Sequence, residues 1–173
     1  MRKLRSLLLL LLPFCLCLVA GAQAKPVDVS LGWNFSHSDQ GDGHANLNGW
    51  YGTATWEESE RFGFSFQHQD FWGSFHRLPL NQHAWLIGLT FRVRKGNPRI
   101  SPFVQTLGGA TRSSYAGNIQ WEPTIQVAGG AHIRIKGNLS LELIPGEYVL
   151  TFTSAAAEHT YQAGVGLQYT FGQ

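Results

Sequence analysis

The chain has 173 residues, enough for one domain, and only 14% of them are charged while 13% are aromatic. Its 13 basic residues outnumber 11 acidic ones, but Arg2, Lys3 and Arg5 lie in a leader-like segment, and without them 10 remain against 11. No basic stripe is then left to attract nucleic acid. Both cysteines, Cys15 and Cys17, lie in that same segment, which excludes a disulfide framework and a thiolate metal site in the mature chain.

The leader has three parts: a basic start from Met1 to Arg5, an apolar run from Leu7 to Ala20, and the small residues Gly21 and Ala22 before Ala24. This is the pattern of a secretory signal, and cleavage is expected after Ala24. The apolar run is short for a spanning helix, which needs ~20 residues. Neither cysteine follows the small residues of a lipoprotein site, so no lipid attachment is expected. The division is therefore a signal peptide over 1–24 and a single domain over 25–173.

After the leader no helical period of useful length occurs. Short segments alternating at period two recur instead, separated by polar or glycine-containing stretches. The first runs from Val27 to Ser36, with Val29, Leu31, Trp33 and Phe35 on one face and Asp28, Ser30 and Asn34 on the other. A polar stretch, 37–45, follows. The second segment, Asn46 to Trp56, has aromatics at either parity, so its facing is left open. Glu57 to Glu60 forms a charged turn. The third, Arg61 to Asp70, sets Phe62, Phe64 and Phe66 together, before a longer loop over 71–82.

The fourth segment, His83 to Arg94, places Trp85, Ile87, Leu89 and Phe91 opposite Gly88, Thr90, Arg92 and Arg94. Residues 95–98 read as a tight turn. The fifth, Arg99 to Arg112, alternates less cleanly around Pro102, and its facing stays open too; 113–120 reads as a loop. The sixth, Trp121 to Ile135, sets Ile125, Val127, Ile133 and Ile135 against Gln126, His132 and Arg134. Lys136 to Asn138 is a hairpin turn. In the seventh, Leu139, Leu141 and Leu143 have the opposite parity to Tyr148, Leu150 and Phe152, so an extra residue is expected near Pro145 and Gly146 as a β-bulge. After 153–160, the last segment runs from Tyr161 to Phe171 with Val165, Leu167, Tyr169 and Phe171 opposite Gly164, Gly166 and Gln168.

Eight such segments, joined by turns that alternate short and long, fit an all-β fold: a single eight-stranded antiparallel up-and-down transmembrane barrel. Closure satisfies every backbone group and leaves no edge, which hydrocarbon demands. The alternative is a soluble periplasmic lipocalin-like barrel with the apolar faces inward. Against it, the polar faces are rich in small residues and poor in Lys and Glu, whereas a soluble surface is about a quarter or more charged.

The stretches Val29 to Phe35, Arg99 to Gln105 with Gly108 and Gly109, Gly129 to Arg134, Glu147 to Thr151 and the last strand resemble the OmpA-like small eight-stranded outer-membrane β-barrels, among them porin-family proteins of Gram-negative bacteria. The resemblance spans the whole mature chain and implies a bacterial outer-membrane location. It departs at the end, where Gly172 and Gln173 follow Phe171, while many members end on the aromatic itself.

An eight-stranded barrel is just wide enough to be filled by side chains. A lumen network of Asp28, Arg92, Arg94, His132, Arg134 and Glu142 is expected, because confined charges need partners. Trp33, Phe35, Phe62, Phe71, Trp72, Trp85, Tyr169 and Phe171 are expected in aromatic girdles. His37 to His44 holds two His and two Asp, but it lacks the alternate carboxylates and distal Glu of a calcium loop, so no metal and no cofactor is expected. His37 with Ser38, or His159 with Glu158, could be cast as hydrolytic pairs, yet adjacent strand residues face opposite ways. The expected role is therefore non-enzymatic, structural or in surface interaction, with outer-membrane lipid and a surface partner at 37–45 and 71–82 as contacts. A narrow ion- or ligand-binding channel and a lipid-modifying barrel enzyme are the alternatives. Oligomeric state is left open.

Overall fold

The computed structural model describes residues 25–39, 43–93, 99–153 and 157–172. The leader expected over 1–24, the turn expected over 95–98 and Arg94 lie outside them. Eight strands follow in order: β1 Val27–Asp39, β2 His44–Ser59, β3 Phe62–Phe75, β4 Leu78–Arg92, β5 Ile100–Tyr115, β6 Asn118–Lys136, β7 Leu139–Phe152 and β8 Ala157–Phe171. Each pairs antiparallel with the next, and β8 closes on β1. One circuit through the partners Val29, Ala54, Phe66, Ile87, Gly108, Ile125, Leu150 and His159 returns to β1 at Asp39, ten residues along. Such a stagger requires strands tilted by about 40°.

Alternation decides which side chains line which surface. Leu167, Ile87 and Phe64 are 51%, 66% and 54% exposed, whereas Gln168, Gln126 and Gln67 are at most 5% exposed. A soluble protein buries its apolar side chains and shows its amides. This wall does the reverse, and a wall of Leu, Ile, Val and Phe is stable only against hydrocarbon. The soluble reading fails on that orientation.

The structure resolves the facing of β2: Ala45, Leu47, Tyr51 and Thr55 are buried inside, while Ala54 and Trp56 face out. In β5, Phe103, Gln105 and Leu107 face in and Val104 faces out. The bulge sits where the parity change put it, with register shifts between Ile144 and Glu147 toward β8 and between Gly129 and Ala131 toward β6.

The outer connections differ from expectation. Residues 71–82 are not a loop: β3 and β4 continue to a two-residue turn at His76 and Arg77, whose φ angles of 49° and 67° are those of a tight hairpin. Likewise 113–120 is strand except for the turn at Ala116 and Gly117. Beyond the bilayer one face no longer has to be greasy, so the alternation lapses while the hydrogen-bonded ladder carries on.

Candidate functional site

The lumen is filled in tiers, each set by which residues alternation turns inward. At the end where the termini lie, the Arg92 guanidinium is clamped between Asp28 and Glu57. All three are at most 8% exposed. Glu57, expected in a turn, lies instead on β2, which runs on to Ser59, and shares the inward parity of Thr55. Arg134, expected in this network, is exposed: it has inward parity but lies past the end of the packed lumen, near the turn at Gly137.

The next tier is built on Glu142. One carboxylate oxygen accepts hydrogen bonds from His132 Nε2 at 2.7 Å and Ser30 Oγ at 2.8 Å, and the other from the Tyr51 hydroxyl at 2.8 Å. Phe103 stacks on the His132 ring at 4.5 Å and holds its plane. Beside it runs a hydroxyl ladder from Thr55 through Ser65 to Thr90, which also accepts from Gln105 Nε2 at 3.0 Å. The space between these groups is about 10 Å³, room for roughly one water.

Above it, Gln69 Nε2 donates to Glu147 at 3.0 Å, Asn34 Nδ2 donates to Gln162 at 3.3 Å, and Gln126 donates to Gln67 at 3.4 Å. The outer mouth is closed differently. Ala45, Leu47, Phe71 and Leu80 pack together, with Phe75 and Tyr115 against them. Phe71 therefore differs from its expected girdle position: it is 3% exposed and faces the lumen. Outward parity on β3 belongs to Phe62, Phe64, Phe66 and Trp72, so its neighbour Trp72 is the one on the outer wall.

The other aromatics expected in girdles lie outside. Trp33, Phe35, Trp72, Trp85, Tyr169 and Phe171 are exposed, and Phe62 is half-buried against Phe64 and Phe91. Trp33 meets Trp72 edge-on at 5.3 Å. The two hydrolytic pairings are not assembled. Ser38 is buried inside while His37 stacks on His44 outside, and Glu158 has the inward parity of Thr160 while His159 faces out, 2.5 Å from the Tyr148 hydroxyl. Among the described residues no group of three or more His, Cys, Asp or Glu could hold a metal ion.

At the outer rim the ladder between β6 and β7 begins only at Thr124 and Thr151. Residues 118–123 pair with β5 and, among the described residues, with no strand on their other side. Ile119 and Trp121 on this edge are 55% and 61% exposed.

No family model and no curated protein matches the chain. Solved structures do. Neisserial surface protein A (NspA) superposes with a TM-score of 0.72 at 10% identity, over 83% of this chain and 96% of that one. Ail, the attachment invasion locus protein of Yersinia pestis, in complex with the heparin analogue sucrose octasulfate, gives 0.59 at 13% identity, over 83% and 98%. The outer membrane enzyme PagL gives 0.52 at 9% identity, again over 83% and 98%. At such identities the likeness speaks for the fold alone. Together with the inverted polarity of the wall, it makes the chain an eight-stranded transmembrane β-barrel of the kind found in bacterial outer membranes.

Proposed function

We propose that the protein is a non-enzymatic outer-membrane barrel that acts at the cell surface by pairing an extended segment of another protein along its outer rim. The carrying observation is the edge of β6 over residues 118–123, which among the described residues pairs only with β5, with Ile119 and Trp121 exposed beside it. An unpaired strand edge presents a row of backbone donors and acceptors to an incoming strand, and flanking apolar side chains add selectivity. A lumen packed with ion pairs, amides and an apolar outer cluster supports a scaffold rather than a conduit. The opposite facing of His37 and Ser38, and of His159 and Glu158, supports the non-enzymatic reading. The Ail structure holds a heparin analogue and PagL is an enzyme on the same fold, so the fold alone does not choose among roles.

The test is selection of peptides from a random displayed library on the purified barrel. Recovered peptides should bind the protein and lose binding to Ile119→Lys and Trp121→Lys. Peptides that bind both variants unchanged would place the contact elsewhere, and failure to recover any binder would remove the strand-pairing role. In planar bilayers the protein should show no steady openings.

A further inference from the structure

Beside the apolar cluster at the outer mouth, the lumen keeps a cup. Register builds it in three inward-facing rows across β4, β5 and β6: Leu80 with Tyr115 at the rim, then Gln82, Ser113 and Gln120, then Glu122 in the lowest row. The space they enclose is about 180 Å³. One wall is the apolar cluster itself: Leu80 belongs to it, and Phe75 and Tyr115 pack on it with ring centroids 5.7 Å apart. Glu158 of β8 also lines the cup, and among the described residues no Lys, Arg or His does.

Glu122 is the group this arrangement leaves short. It is 7% exposed, yet its carboxylate accepts only the Ser113 hydroxyl, at 3.3 Å. Hydrogen bonds between oxygens are usually about 2.5–3.0 Å. Among the described residues it forms no ion pair. Deeper in the lumen, by contrast, Asp28 and Glu57 share Arg92, and Glu142 meets His132. A buried carboxylate without a counter-charge keeps its desolvation cost, so a cation entering the cup gains more there than it would in water.

The cup also selects the cation. Its volume is that of roughly six waters in the liquid, so the occupant has about six non-hydrogen atoms. A hard metal ion needs about six oxygen ligands, and among the described residues no group of three or more His, Cys, Asp or Glu could hold one. An organic ammonium suits the walls better, because aromatic faces attract cations and apolar side chains shelter an alkyl stem.

We propose that the cup binds a small primary ammonium ion, its charge on Glu122 and its short alkyl stem against Phe75, Leu80 and Tyr115. The three N–H donors of the ammonium are shared between Glu122 and the amide oxygens of Gln82 and Gln120. The site lies on the inner side of β6 and needs no strand paired along the rim.

Solution NMR of the isotope-labelled barrel in detergent micelles at neutral pH reads binding at the amides of Ser113, Gln120 and Glu122. The probes are butylammonium, butanol as its neutral match, and Mg²⁺ as an inorganic cation. Wild type should bind butylammonium at millimolar concentration, as befits so few atoms. It should bind butanol about ten-fold more weakly, a difference on the order of 1.4 kcal/mol. Glu122→Gln should bring butylammonium down to the butanol level and leave butanol itself unchanged, which also shows that the cup is still formed. A heat-dependent gel shift confirms that the variant barrel stays closed. Equal binding of butanol and butylammonium by wild type would overturn the site, as would wild-type affinity for butylammonium in Glu122→Gln. Displacement of butylammonium by Mg²⁺ at a matching concentration would overturn it too, because a diffusely negative mouth rather than a fitted cup would then hold the cation.

Discussion

The two ends of the lumen are sealed by different physics. Near the termini, one guanidinium holds two carboxylates, and the enclosure is electrostatic. At the outer mouth, Ala45, Leu47, Phe71 and Leu80 close the barrel by apolar contact, as in a soluble core. The contrast teaches how each end fails. An ion cluster tolerates loss of the whole set better than loss of one member, because a lone buried charge keeps its desolvation cost. An apolar cluster loses stability in proportion to the volume removed.

The largest effect is therefore expected at the charged end. Arg92→Met strands two buried carboxylates and should cost about 4 kcal/mol, read from guanidinium unfolding in detergent micelles. Adding Asp28→Asn and Glu57→Gln to that variant should restore most of the loss. If the triple variant is as weak as the single one, the cluster is not closed by charge. At the outer end Leu47→Ala should cost about 3 kcal/mol, and here a compensating charge change elsewhere should recover nothing. Between the ends, Tyr51→Phe removes one of the three donors to Glu142 and should cost roughly 1.5 kcal/mol. The smallest effect belongs to a turn. Gly137 has a φ of 54° and open space around its Cα, so Gly137→Ala should lose only about 1 kcal/mol, from backbone strain.

The contrast between the ends also explains what could be read from the sequence. Where strands cross hydrocarbon, one face must be apolar throughout, and the alternation in β1, β3, β4, β6 and β8 showed facing directly. The pattern fails where that demand stops. Leu47 and Tyr51 face in while Trp50 and Trp56 face out, so β2 looks apolar on both sides and its parity could not be chosen. Phe71 departs from its expected girdle position for a related reason. Ending β3 at Asp70 removed it from the alternation, although even-numbered residues of that strand face out and odd ones face in. Glu57 was missed because a run of charges resembles a turn until the strand is seen to continue through it. Arg134 has the right parity and the wrong height. The cup around Glu122 had no signal in the linear chain, because only register brings its rows together from three strands.

The barrel stands in the membrane only if its greasy side chains meet lipid while the polar ones meet each other. Single cysteines introduced from Ala163 to Phe171, with Cys15 and Cys17 replaced by serine, can carry a spin label whose collision rate with dissolved oxygen reports contact with hydrocarbon. Val165, Leu167 and Tyr169 should give high rates and Gln168 a low one, repeating at period two along β8. A profile with Gln168 high and Leu167 low, or a flat one, would contradict the orientation on which every site described above is placed.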